Sequence, residues 1–149
     1  MQPGMLNEEI CAQIKQIFSV ELDQPVELIY FFDKDKCVSC EETRQLLDEL
    51  VALSGKLSLS VVDLDRQPEL GKQYNIHHAP ALVLAGRDQA ELVDYGIRFY
   101  GIPSGYEFGS LIHSIQLVSK RDSGLKPSIR SELKDIQSPL LIKIFVTPT

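Results

Sequence analysis

The chain has 149 residues, with no long apolar run, few cysteines and a shortage of positive charge. No stretch reaches the roughly 18 apolar residues that a membrane-spanning helix needs. No N-terminal segment joins a basic start to an apolar run and a small-residue cleavage site, so neither a membrane partner nor a secretory signal is expected. Fifteen Lys and Arg stand against 21 Asp and Glu, a formal net charge of −6. The pI near 5.0 argues against a surface that neutralises phosphates, so nucleic acid is not an expected partner. Three cysteines, an odd number in a chain of this length, do not suit the disulfide framework of a secreted scaffold, and the expected compartment is the cytoplasm. A domain of this size buries about 70% of its unfolded surface and needs no staple or structural metal.

What is present alternates between helix-period and strand-like segments. Leu6, Ile10, Ile14, Ile17 and Phe18 recur at helical spacing before Pro25. Val26 to Phe32 is apolar on both parities apart from Glu27, which suits a strand covered on both faces. Leu46, Leu47, Leu50, Val51 and Leu53 make a second helical stripe ending near Gly55. Leu57 to Leu64 reads as a strand, Pro68 to Tyr74 as a short helix, and Ala81 to Ala85 as a third strand. A turn is expected at Gly86-Arg87-Asp88, then a returning strand from about Leu92 to Tyr100 and a helix from about Tyr106 to Val118. The pattern is that of an α/β fold.

The composition changes at the polar segment Ser119 to Gly124, read as a linker. Beyond it come a short helix at Pro127 to Ile136 and a buried-type strand at Leu140 to Val146. Gln24-Pro25-Val26 through Phe32 matches Ser138-Pro139-Leu140 through Val146 at a constant offset of 114, an internal repeat. Residues 1–119 are therefore expected to form one complete unit, and 120–149 a linker with the helix and first strand of a second. That strand is expected to pack on the first unit, burying Ile142, Ile144 and Phe145, or to pair with its copy in a homodimer.

Cys37-Val38-Ser39-Cys40 follows the first strand and opens a helix, the setting in which C-x-x-C reads as a redox motif. Unpaired N–H groups and the positive end of the helix dipole favour a thiolate at the first cysteine, and the spacing lets the second thiol reach it. Lys36 adds a positive charge, whereas Glu41 and Glu42 oppose an anion. The helix start is ambiguous: Ser39-x-x-Glu42 has the form of a capping box, but the thiolate reading wants the first turn at Cys37. A metal alternative exists, because His77 and His78 could join the two thiols in a Cys₂His₂ set, although finger-type spacing is missing. Cys11 and His113 read as helix residues. The aromatics Tyr30, Phe31, Phe32, Phe99 and Phe108 read as core.

Cys-x-x-Cys after the first strand, with Ala79-Pro80 opening a later one, resembles the thioredoxin superfamily. The preceding helix, the segment Phe99 to Phe108 and the repeat ending Phe-Val-Thr-Pro-Thr are similar to the first unit of the two-unit protein disulfide oxidoreductases, also called glutaredoxin-like proteins. The resemblance implies a thioredoxin-like fold: a central mixed sheet with helices on both faces and an extra N-terminal helix. It implies thiol–disulfide exchange on protein or small-molecule disulfides, with Cys37 attacking, Cys40 resolving, Pro80 as the cis-proline and the Ala79 backbone receiving substrate. A reductase or glutathione would supply electrons; no cofactor or metal is called for. A non-catalytic binding half of a larger oxidoreductase is the alternative. Two departures stand out. Phe31 occupies the position, six before the attacking cysteine, where thioredoxins carry a buried aspartate. The chain also ends before the second C-x-x-C of the two-unit family.

Overall fold

The computed structural model describes residues 4–147. Its core is a four-stranded sheet in the order β2-β1-β3-β4: β1 Val26–Phe32, β2 Leu57–Asp63, β3 Ala81–Asp88 and β4 Glu91–Tyr100. β1 runs parallel to β2 and antiparallel to β3. It is therefore hydrogen-bonded on both edges, and the near-continuous apolar run of Val26 to Phe32 follows from that position: its first six residues are buried.

Helices cover both faces. Residues of even parity on β1 and β3, among them Leu28, Tyr30, Leu82 and Leu84, pack with α1 (Glu8–Glu21), α2 (Cys40–Val51) and α4 (Tyr106–Lys120). Ile29, Phe31, Ala81 and Val83 point the other way, beneath α3 (Pro68–Gln73) and its flanks Leu64 and Tyr74. α1 begins where the Asn7 side chain accepts a hydrogen bond from the Ile10 N–H at 2.8 Å. Its stripe then buries Ile14 and Phe18.

Three expectations are corrected. The turn lies at Gln89 and Ala90, not at Gly86-Arg87-Asp88, and β3 continues through those residues. Gly86 serves a packing purpose, since a Cβ there would stand 2.6 Å from Cζ of Arg121. α4 extends to Lys120, with Arg121 in the left-handed region behind it at φ 53°. Arg121 donates to the carbonyls of Pro25 at 3.0 Å and Arg87 at 3.1 Å, and Ser119 is buried against the Asp23–Gln24 backbone. The chain from Ser119 to Arg121 is thus integral to the first unit's packing.

The third correction concerns the tail. The short helix is present as α5, Pro127–Leu133, but Leu140 to Val146 forms no strand. Ile142, Ile144 and Phe145, expected to be covered, are 79%, 83% and 91% exposed. No helix among the described residues is long and apolar enough to cross a membrane.

Candidate redox site

β1 delivers the chain to the site. Past Phe32 the Asp33 carboxylate accepts hydrogen bonds from the N–H groups of Asp35 and Lys36, at 3.0 and 3.1 Å, which folds the charged loop. Lys36 is exposed there. Cys37 follows and is joined to Cys40 as a disulfide, with Cα atoms 5.5 Å apart. α2 begins at Cys40, so Cys37 precedes the helix rather than opening its first turn. Ser39 is the residue before the helix, as the capping-box reading has it, but its side chain makes no capping hydrogen bond. Its carbonyl instead accepts from the Thr43 hydroxyl at 2.6 Å.

The two cysteines differ in access. Cys37 is half-buried, whereas Cys40 is only 8% exposed and belongs to the main core cluster. Ala79 packs against the same cluster as Cys37. The Ala79–Pro80 bond is cis, and Pro80 is buried. Its carbonyl accepts from the Gly101 N–H at 2.9 Å. The ladder between β1 and β3 stops at Phe31 and Ala81, leaving Ala79 and Pro80 beyond the paired strands.

An open cavity of about 700 Å³ adjoins the disulfide. It is lined by Tyr30, Phe32, Asp33, Lys34, Glu41 and Glu42 among others, together with both cysteines, so acid outnumbers base beside the sulfur atoms. Lys34, not Lys36, is the lysine on that lining. The floor is Tyr30, 1% exposed, whose hydroxyl donates to the Cys40 carbonyl at 2.7 Å. Burial pushes this phenol up to about 12; the Arg44 charge opposes that rise and the Glu42 charge adds to it.

The histidines do not join the cysteines. His77 is exposed and its Nε2 lies 2.8 Å from Oδ1 of Asn75, and His78 is exposed beside it. Among the described residues no three of His, Cys, Asp and Glu gather into a set that could hold a metal ion.

Two polar features escape the sequence reading. Tyr30 reads there only as core, although a lone phenol in an otherwise hydroxyl-free strand is a signal that something above it accepts. Glu27, the one charge in β1, is 2% exposed. It accepts from the hydroxyls of Ser58 and Ser60 and from Arg87, whose Nη2 is 2.5 Å away. Burial alone would raise its pKa, but those hydrogen bonds and the Arg87 charge outweigh burial and hold it below the ordinary value of 4.5. The signal is the alternation of Ser58 and Ser60 on β2, two hydroxyls on one face.

Comparison with known proteins agrees with this geometry. The family model described as glutaredoxin-like domain (DUF836) matches residues 28–95, from β1 through the site into β4. The F subunit of alkyl hydroperoxide reductase from Staphylococcus aureus (strain Mu50) is 30% identical over 145 residues, which is 97% of this chain and 25% of that protein. The chain thus spans about a quarter of the curated relatives it matches. Among solved structures, a domain of the alkylhydroperoxide reductase AhpF from Enterococcus faecalis superposes with a TM-score of 0.75 at 29% identity, covering 86% of this chain and 59% of that one. A protein disulfide oxidoreductase from Aeropyrum pernix shares the fold, with a TM-score of 0.74 at 23% identity over 87% of this chain and 54% of that one. With its cysteine pair set between a central strand and a helix on this sheet, the chain has a thioredoxin-like fold, and its residues 28–95 are similar to the glutaredoxin-like domain.

Proposed function

We propose that the chain is a glutaredoxin-like thiol–disulfide oxidoreductase in which Cys37 attacks and Cys40 resolves. The observation that carries this reading is the difference in access: a half-exposed Cys37 on an open cavity, bonded to a Cys40 buried at the start of α2. In the reduced state the Cys37 thiolate attacks a substrate disulfide, forms a mixed disulfide and releases one substrate thiolate. Cys40, deprotonated, then attacks Cys37 Sγ; the Cys37–substrate bond breaks, the Cys37–Cys40 bond forms and the second substrate thiolate leaves. Ala79 and Pro80, just past the end of the β1–β3 ladder, are the proposed receivers of an extended substrate segment. Lys36 remains the proposed charge that favours the Cys37 thiolate, with Lys34 nearer the cavity.

Disulfides in proteins are the proposed substrates in a cytoplasmic setting, and a reductase module the proposed electron donor. The names of the relatives, a component of a reductase and a protein disulfide oxidoreductase, support that pairing. The excess of acid around the cavity disfavours anionic glutathione as the donor. The whole chain, reduced with dithiothreitol, should turn over insulin disulfides. Cys40→Ser should trap mixed disulfides with protein substrates and Cys37→Ser should not. Equal trapping by both variants overturns the assigned order. Absence of insulin reduction by the unaltered chain favours the non-catalytic binding half instead.

A further inference from the structure

The exchange chemistry proposed above needs its resolving thiol held at a fixed place, and among the described residues of β1 no carboxylate lies beneath the cysteines to do it. The residue six before Cys37 is Phe31, which faces the opposite side of the sheet under α3. Glu27, the buried carboxylate of the same strand, lies near the strand's other end and is engaged by Ser58, Ser60 and Arg87. The group that does reach the site from below is the Tyr30 hydroxyl.

We infer that Tyr30 is a positioning residue for the resolving step, its phenol fixing Cys40 through the Cys40 carbonyl. Three features give it that capacity. Its backbone is immobilised on both sides, opposite Val61 on β2 and Leu82 on β3. Its ring is buried and stacked 6.3 Å from Phe32, so the hydroxyl has one direction in which to point. Its partner is the carbonyl of the first residue of α2, so the bond ties the centre of the sheet to the first turn of the helix carrying Cys40. The phenol stays protonated, and hence a donor, throughout the working pH range. Cys37 has no corresponding strut among the described residues, since it sits in the loop before the helix.

The consequence is selective. In the resolving step Cys40 Sγ, its proton lost to solvent, must approach Cys37 Sγ along the axis of the mixed disulfide while the substrate thiolate departs. Misplacing Cys40 slows that step. Attack by Cys37 on the incoming disulfide depends on the loop side of the site and is left unchanged.

The test is rapid-mixing kinetics of the full-length reduced chain with a fluorescent peptide disulfide, read against the same reaction of Cys40→Ser, which isolates attack. Tyr30→Phe should slow resolution by roughly three- to tenfold, the worth of one hydrogen bond, with attack unaltered. The oxidation equilibrium against a glutathione redox buffer should shift as well. p-Aminophenylalanine at position 30, which returns a donor to the same place, should restore the resolving rate. It also gives an intact comparison if the phenylalanine variant does not fold. Equal slowing of both steps, slowing of attack alone, no change in either, or a p-aminophenylalanine variant as slow as Tyr30→Phe overturns the inference. Failure of the unaltered chain to attack the peptide disulfide would instead overturn the exchange reading on which it rests.

Discussion

Val26 to Phe32 and Leu140 to Val146 are two copies of one pattern with opposite fates. Each follows a helix and a proline, and each is rich in β-branched, leucine and aromatic residues. The first lies at the centre of the sheet with Val26, Leu28 and Phe31 wholly buried. The second is exposed along its length and belongs to no strand. An apolar strand pattern states only that a segment can be covered; whether it is depends on neighbours. β1 finds β2 on one edge, β3 on the other and a helix layer on each face. The copy has none of these among the described residues.

The strongest challenge to this contrast is to place a charge at matched positions. Leu28→Asp buries an unpaired carboxylate in the centre of the core and should leave the unit unfolded at neutral pH, a loss on the order of 4 kcal/mol or more. Ile142→Asp, the equivalent change 114 residues on, should leave the thermal midpoint within error. Circular dichroism melts of the two variants decide it, and equal damage would mean that the tail is part of the core.

Next in size is the charge that β1 has and its copy lacks, since Leu141 stands where the first copy has Glu27. The folded-state pKa of Glu27 is depressed, so its contribution to stability is complete above the unfolded value of 4.5 and is lost as pH falls through the folded one. Glu27→Gln should cost about 1 to 3 kcal/mol at pH 7, from hydroxyls and a guanidinium left poorly matched. It should also flatten the fall in stability on acidification below pH 4.5. Urea melts at pH 7 and pH 3.5 measure both; a variant as acid-sensitive as the unaltered chain would remove the assignment.

The boundary between the two regions can be placed by deletion. Removing residues 121–149 takes away Arg121 and its bonds to Pro25, Arg87 and Asp88, and should lower stability by about 1 to 3 kcal/mol. Removing only 127–149 should change stability by less than about 0.5 kcal/mol and leave insulin reduction intact. The proposed division into a complete unit and an unpartnered opening of a second thus falls after Arg121 rather than at Ser119. Sedimentation across a concentration series supplies the smallest readout: the full chain should self-associate weakly through its exposed apolar tail, and the shorter one should remain monomeric. Identical sedimentation would leave the homodimer proposal without support.

Much of the fold is legible because its signals are local. Helical spacing at Ile10, Ile14 and Phe18, the apolar run after Pro25 and the cysteine spacing ahead of a helix each declare themselves within a dozen residues. The strand–loop–helix placement of Cys37 and Cys40, and Ala79-Pro80 ahead of β3, are readable for the same reason. The turn is misplaced because Gly86 looks like a turn residue, when the reason for glycine is Arg121, far along the chain. Tyr30 reads as mere core because its acceptor, a backbone carbonyl, has no signature in sequence.

By itself, then, the sequence determined the element order as far as α5, the dithiol and its place between a strand and a helix, since these follow from residue periodicity and neighbouring side chains. Only the tertiary structure decided which polar groups meet, as Tyr30 with Cys40 and Glu27 with Ser58, Ser60 and Arg87. It alone decided that one apolar strand is covered while its copy is not. Those outcomes rest on partners distant in the chain, which a segment's own residues can call for but do not identify.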